Sequence, residues 1–310
     1  MWALSQRSGT VLGNACAARL CWAAQDPEKI VDPPTGPVRL QMPPAVAEAL
    51  AREVGRTDAL WARLDAVMLR PDLPGSAATS EKRDRLGAFA YDLAATYLRA
   101  ALDHTRAWQT LLRAGEVPSF AYLSLLRTAH ESAFVALWLM EPGVPAEERR
   151  ARGVAAQLAD YEERHKLEAD MGITAIQPPG RTAAQRRTEL LADATRHGLT
   201  RVTSKGKAVV TTPPSTVELF IRFEPVPPGT KGSFLYRLYS GYAHAKQWAV
   251  TLGAQRVAPF DETGRTLALA AGNDTATLWT LWTTRRTINA VERAVAAYEA
   301  LHQPPSAARG

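Results

Sequence analysis

The chain has 310 residues, and a composition of 46% hydrophobic and 22% charged residues is typical of a globular protein that can bury a core. No run of about 18 apolar residues occurs, which argues against a membrane-spanning helix. The formal net charge of +6 permits a polyanionic partner but does not require one.

Residues 1–43 are predicted to form an irregular N-terminal arm, because their apolar periodicity is poor and they contain Pro33, Pro34, Pro37 and Pro43. The only cysteines, Cys16 and Cys21, lie in this arm. Two thiols cannot build a disulfide framework, and no neighbouring His or Cys completes a zinc site. We therefore expect a reducing compartment and a cytoplasmic protein.

Two helices are predicted between the arm and residue 114. The first covers Ala45–Arg70, with a break near Gly55 and a restart at which Thr57 acts as the N-cap. After a loop, Ser80 is expected to cap a long helix that runs to about Ala114. Its apolar residues recur mostly at spacings of three and four, which indicates one buried face.

The next helix, from about Pro118 to Met140, is apolar nearly all round. A helix without a polar face belongs in the centre of a bundle. A charged helix follows, for which Pro145 suits the first turn and Gly172 the end.

The remaining chain is predicted to be helical apart from a loop or short hairpin around Gly206. Capping-box spacing at Thr182 and Gln185, and again at Ser215 and Glu218, marks two helix starts. Later helices are expected over residues 233–254 and 266–302. The sequence thus predicts an all-α fold: a helical bundle of about seven to eight helices in a single domain (44–302), with the irregular N-terminal arm (1–43) and a frayed tail (303–310).

Two polar groups interrupt the most apolar helices. Arg127 and Glu131 are four residues apart on the central helix, so their side chains share a face and are expected to form a buried ion pair. Arg237, Ser240 and His244 line one side of a later helix over almost two turns, beside Gly241. The glycine suggests close approach of another helix, a ligand or a second subunit.

These residues resemble the sequence patterns of two groups of helical proteins. An Arg and a His separated by about four to six residues on one helix is the catalytic signature of the HEPN superfamily of small helical RNases, and Arg237 and His244 fit it. The chain also resembles a broad group of bacterial all-helical proteins of unknown function, with an Arg-x-x-x-Glu helix and a later Ser-x-x-x-His helix. Here Arg127, Glu131, Ser240 and His244 carry that pattern.

The HEPN resemblance implies a metal-independent endoribonuclease or an RNA-binding toxin or defence protein that needs no cofactor. His244 would be the acid/base and Arg237 the phosphate-holding cation, because imidazole titrates near neutral pH and guanidinium matches phosphate. The supporting residues would be Arg127, Glu131, Ser240 and His130. HEPN proteins usually pair two such helices, so a homodimer is also implied.

A basic segment provides additional candidate RNA contacts: Arg186, Arg187, Lys205 and Lys207. Two alternatives stay open. The same polar residues could serve packing in a non-catalytic helical module that binds a small ligand or a partner protein. A metal-dependent helical-bundle enzyme is the second alternative, since Glu162 and His165 form the Glu-x-x-His pair of ferritin-like sites. No phosphate-binding glycine loop, nucleophile elbow, Rossmann fingerprint or zinc pattern occurs.

Overall fold

The computed structural model describes residues 42–115, 118, 121–173, 180–204, 206–246, 248–249, 255–256, 268–269 and 274–304. The helices in this part are α1 (Pro44–Met68), α2 (Ala77–Glu81), α3 (Arg85–Arg113), α4 (Ala121–Leu139), α5 (Ala146–Met171), α6 (Ala183–Arg196), α7 (Thr216–Phe223), α8 (Ser233–Ala243) and α9 (Asp274–His302). Two short antiparallel pairings join β1 (Arg201–Val202) to β2 (Ala208–Val209) and β3 (Gln255–Arg256) to β4 (Ala268–Leu269). The predicted all-α class is confirmed, with nine described helices in place of seven or eight.

Helix α4 lies at the centre of the bundle and packs against α3, α5, α7, α8 and α9. Leu126, Phe134 and Leu139 of this helix are completely buried in the main core. A smaller apolar cluster, which includes Val154 and Leu190, joins α5 and α6 to the start of α3. The central position predicted from the apolar sequence of α4 is confirmed.

Local signals located several helix ends correctly. Both predicted capping boxes form: the Thr182 hydroxyl accepts from the Gln185 N–H, and the Ser215 hydroxyl accepts from the Glu218 N–H. Gly172 ends α5 in the left-handed region, with φ of 63°. These caps satisfy backbone groups that have no partner inside a helix, which is why their spacing predicts helix ends reliably.

The predicted break in the first helix is wrong. Helix α1 runs without interruption through Gly55, and Thr57 is completely buried within it and is not an N-cap. Leu50, Val54 and Leu64 lie on the buried face on both sides of the glycine. Burial of such side chains contributes about 1.5–3 kcal/mol each, which outweighs the cost of about 1 kcal/mol for one helical glycine.

The predicted cap at Ser80 is also wrong. Ser80 lies inside the short helix α2, which begins where the Ser76 hydroxyl accepts from the Thr79 N–H. Helix α3 is capped by Asp84, whose carboxylate accepts a 2.8 Å hydrogen bond from the Gly87 N–H. A carboxylate at this position also interacts favourably with the positive end of the helix dipole.

Helix α9 carries threonines on the face that packs against α4. It begins at Asp274 and not near Thr266 as predicted. Thr280 donates to the Tyr122 hydroxyl (2.9 Å), and the Trp108 indole donates to Thr284 (3.0 Å). All four of these bonded side chains are buried, so a satisfied polar seam runs through the core between α9, α3 and α4.

Within the described part of the chain, no helix is both long and apolar enough to cross a membrane. The predicted N-terminal arm lies outside the described residues, except for residues 42 and 43, and most of the tail, residues 305–310, does as well. The structure therefore leaves the arm and the tail as predictions.

A buried histidine at the end of α9 gives the fold a pH dependence. The His302 Nδ1–H donates to the Tyr298 carbonyl (2.8 Å), and burial lowers the pKa of the imidazole from 6.5, against the opposing effects of this bond and of Asp72. The unfolded chain therefore binds the proton first as the pH falls. The stabilising contribution is complete above pH about 6.5 and is lost as the pH drops through the lower folded-state pKa.

We expect the free energy of unfolding of the wild type to fall more steeply between pH 7.5 and 5 than that of His302→Gln. Urea unfolding at a series of pH values measures both curves. Parallel curves for the two proteins would show that His302 takes up its proton equally well in the folded state.

Candidate functional site

The C-terminal end of α8 is formed by a sharp turn. The helix ends at Ala243, where the His244 N–H still donates to the Ser240 carbonyl (3.1 Å). Ala245 follows with φ of 48°, the only non-glycine residue in the left-handed region among the described residues, and the Lys246 N–H returns to the Gly241 carbonyl (2.8 Å). The predicted continuation of this helix to residue 254 is therefore wrong.

This turn brings the chain back onto Gly241. A Cβ at Gly241 would lie 2.5 Å from Trp248 Cζ2 and 2.8 Å from the Ala249 Cβ, so no larger residue fits without displacing the indole. The close approach predicted at this glycine exists, but the approaching group comes from the same chain. Trp248 nevertheless remains 52% exposed to solvent.

The face around Gly241 is defined here as the α8 face and comprises Arg237, Ser240, Gly241, His244 and Lys246. Successive helical residues are rotated by about 100°, which brings Arg237, Gly241 and His244 onto one side of the helix. Arg237, His244 and Lys246 are exposed, and Ser240 is half-buried. The two residues predicted to carry chemistry therefore both meet solvent.

Within the described part of the chain, the cations of the α8 face differ from most arginines in having no carboxylate partner. In the described residues, neither Arg237 nor Lys246 forms an ion pair, whereas Arg63, Arg152 and others bind carboxylates at close range. The neighbouring sequence also lacks carboxylates, since no Asp or Glu occurs from residue 225 to residue 260. This acid-free segment is a signal outside the predicted motifs, and the exposed Arg237 and Lys246 give the α8 face a net positive charge.

Arg127 and Glu131 form the predicted ion pair, with 2.6 Å between Nε and Oε1. Their side chains are 20% and 26% exposed, so the pair is half-buried and not sealed in the core. The Arg127 guanidinium lies over the Tyr236 ring at 5.6 Å from its centre. The ion pair thus lies at the boundary between α4 and α8, where its contact on α8 is Tyr236 and not a residue predicted to carry chemistry.

His130, predicted as a supporting residue, lies on the inner side of α4 and is completely buried. Its Nε2 is 3.0 Å from Glu224 Oε2, and its Nδ1 is 3.3 Å from the Thr287 hydroxyl. The Tyr239 hydroxyl hydrogen-bonds to Thr287 (2.9 Å). His130 therefore links α4, α7, α8 and α9 through the core and does not contact the exposed α8 face.

Glu224 was not predicted, and it is the most buried carboxylate of the polar core. Its side chain is 2% exposed, and its second oxygen, Oε1, lies 2.7 Å from the Arg286 Nε. We name His130, Glu224, Tyr239, Arg286 and Thr287 the buried network. No spacing rule could find it, because its members come from four separate helices or helix ends.

The predicted basic segment does not join the α8 face. Helix α6 packs on α5 and β2, whereas α8 packs on α4 and α7. Arg187 is bound to Glu162 (3.1 Å), Arg186 is half-buried, and Lys207 is exposed; Lys205 lies outside the described residues. The charge of this segment is partly neutralised by its own chain.

The alternative metal pair, Glu162 and His165, receives no further ligands from the part of the chain that the structure describes. Glu162 is engaged by Arg187, and His165 is exposed on α5. Among the described residues, no group of three or more His, Cys, Asp or Glu side chains could hold a metal ion.

Comparisons of the chain with protein-family models, with curated proteins and with solved structures found no match.

Proposed function

We propose that the α8 face binds single-stranded RNA and cleaves it without a metal ion. The observation that carries this proposal is the exposure of Arg237 and His244 on one face of a helix, in a segment without a single carboxylate. A cation with no ion-pair partner among the described residues is available to a phosphate. The HEPN resemblance of the same two residues agrees with this proposal and adds a homodimer to it.

The chemistry follows from the two side chains. Neutral His244 takes the proton of a ribose 2′-OH while the 2′-oxygen attacks the adjacent phosphorus. A bond from phosphorus to the 2′-oxygen forms, and the bond to the 5′-oxygen of the next nucleotide breaks. The leaving oxygen takes a proton from the imidazolium, which regenerates His244, and the planar guanidinium of Arg237 balances the charge that develops on the phosphate.

The interior supports this arrangement by fixing α8. Leu238 and Tyr239, the two residues after Arg237, are buried against the core, and Tyr236 lies under the Arg127 guanidinium. Arg237 is therefore presented on a helix whose rotation is set by packing on both sides. A catalytic cation gains from such fixed placement, because little reorganisation is left for the reaction.

RNA binding tests the first half of the proposal. We expect Arg237→Ala to weaken binding of a labelled single-stranded RNA by about tenfold and to lower the salt slope of log Kd by about one, as for the loss of one phosphate contact. Fluorescence anisotropy over a range of salt concentrations measures both values.

The matched control is Arg83→Ala, which removes an exposed arginine that has no ion pair within the described part of the chain. Equal binding by the two variants would mean that RNA, if bound at all, does not contact the α8 face.

A further inference from the structure

A cavity of about 260 Å³ lies between the end of α7 and the middle of α9, and the RNA proposal does not use it. It is lined by Glu224, Pro225, Arg286, Asn289, Ala290, Glu292 and Arg293. No residue of the α8 face contributes to its wall. The volume is slightly below the range of drug-sized pockets, about 300–1,000 Å³, so its occupant must be small.

Both carboxylates of this cavity are already compensated by cations of the chain. Glu224 Oε1 forms an ion pair with Arg286 without hydrogen-bond geometry, and Glu224 Oε2 hydrogen-bonds to His130. Glu292 is bound by Arg56 and lies 3.8 Å from Arg63. The negative charge of the wall is therefore largely offset before a ligand binds.

The wall of the cavity has hydrogen-bond donors that are not used by the protein's own acceptors. The Asn289 carbonyl oxygen accepts from Arg56 (2.9 Å), which leaves the N–H groups of the Asn289 amide for another acceptor. Arg293 donates from Nη1 to the Phe223 carbonyl (2.8 Å) and has no carboxylate partner among the described residues. The Arg286 Nε lies 2.7 Å from Glu224 Oε1 in an ion pair without hydrogen-bond geometry, and the terminal N–H groups of Arg286 are left for another acceptor.

The spacing of these donors suits one shared ligand. Arg286, Asn289 and Arg293 follow at i, i+3 and i+7, so they lie on one side of α9. The two arginine Cα atoms are about 10 Å apart along the axis, at about 1.5 Å per residue, and both side chains can reach a group between them. Paired guanidinium groups favour a planar or tetrahedral oxyanion.

We propose that this cavity binds a small oxyanion, a carboxylate or a phosphate, through Arg286, Asn289 and Arg293. The oxygens of the ligand would accept hydrogen bonds from these donors. Its negative charge would pair with Arg293, which has no carboxylate partner among the described residues. The same arginine that holds the ligand also holds Glu224, so occupancy of the cavity acts directly on the end of the buried network. This site is independent of the proposed RNA cleavage.

Calorimetric titration of the full chain tests the proposal, with inorganic phosphate and succinate as separate probes and chloride at equal ionic strength as the reference. We expect saturable binding of at least one oxyanion and a Kd that rises about tenfold or more in Arg293→Gln, since a hydrogen-bonded charge is lost. The two probes separate phosphate from carboxylate ligands. Arg293 is preferred to Arg286 for substitution, because it is exposed and its loss leaves no buried carboxylate unpaired.

The matched control is Arg285→Gln, which removes an exposed arginine of α9 that is bound to Glu53 and does not line the cavity. Its Kd should stay within about twofold of the wild type, and so should that of Arg237→Ala. No saturable binding of either probe, or equal weakening by Arg285→Gln and Arg293→Gln, would overturn the proposal. Neither result would bear on RNA cleavage at the α8 face.

Discussion

Replacement of Glu224 by Gln is expected to lower the free energy of unfolding by about 3–5 kcal/mol, as for other buried ion pairs that lose one partner. The Glu224 side chain is 2% exposed and contacts both Arg286 and His130. The amide removes the negative charge and leaves the Arg286 guanidinium, itself only 21% exposed, without compensation. The shape of the side chain is kept, so the loss reports charge and hydrogen bonding and not a cavity.

Urea unfolding followed by circular dichroism measures this loss. Glu163→Gln is the control, because it removes an exposed carboxylate that pairs with Lys166, and such a pair contributes about 1 kcal/mol or less. A loss below about 1 kcal/mol in Glu224→Gln would contradict the account of a desolvated ion pair at the centre of the buried network.

Replacement of His244 by Ala is expected to reduce the rate of RNA cleavage by a factor of about 10²–10⁴, the usual contribution of a general acid–base group. The effect should appear in kcat, while the Kd for RNA changes little, because Arg237 and Lys246 retain their charge. The melting temperature should stay within a few degrees of the wild type, because His244 is exposed and its backbone N–H still caps α8. Single-turnover cleavage of a labelled RNA separates these effects.

His197→Ala provides the matched control. His197 occupies the position at the end of α6 that His244 occupies at the end of α8, and it is also exposed. Its substitution should leave cleavage unchanged. Equal activity of the His244→Ala and wild-type proteins would mean that another group moves the proton, or that the cleavage comes from a contaminant.

The sequence predicts those parts of the fold that depend on neighbouring residues. The capping boxes at Thr182 and Ser215 and the left-handed end at Gly172 are satisfied within one helical turn, so their residue types alone indicate them. The position of α4 follows from its composition in the same way. The break predicted at Gly55 was wrong because the packing of α1 outweighs the cost of one glycine. The cap predicted at Ser80 was wrong because Asp84, four residues later, caps α3.

The candidate site was only partly predictable. Arg237 and His244 share a face by helical spacing alone, and both are exposed as a site requires. Their surroundings depend on the turn at Ala245, whose backbone is in the left-handed region. That conformation costs about 1–2 kcal/mol for a residue other than glycine, so an alanine in the sequence does not predict it. The return of Trp248 onto Gly241 follows from that turn and could not be read from the sequence.

The buried groups were the least predictable. Glu224 follows a short helix and precedes Pro225, so its sequence suggests an exposed loop, and only the fold brings it to His130, 94 residues away. In contrast, the Arg127–Glu131 pair looked central because its helix is apolar, yet it lies at the half-exposed border with α8. Whether a side chain is buried depends on which helices pack together, and the sequence of a single helix does not determine that packing.

The most direct measurement is the cleavage of a labelled single-stranded RNA in the presence of excess EDTA, compared with the same sequence carrying 2′-O-methyl groups at every position. We expect the purified wild type to cleave the unmodified strand and to leave a 2′,3′-cyclic phosphate, while the methylated strand binds but stays intact. Cleavage of both strands, or loss of all cleavage when EDTA is added, would contradict a metal-independent reaction through the 2′-OH at the α8 face.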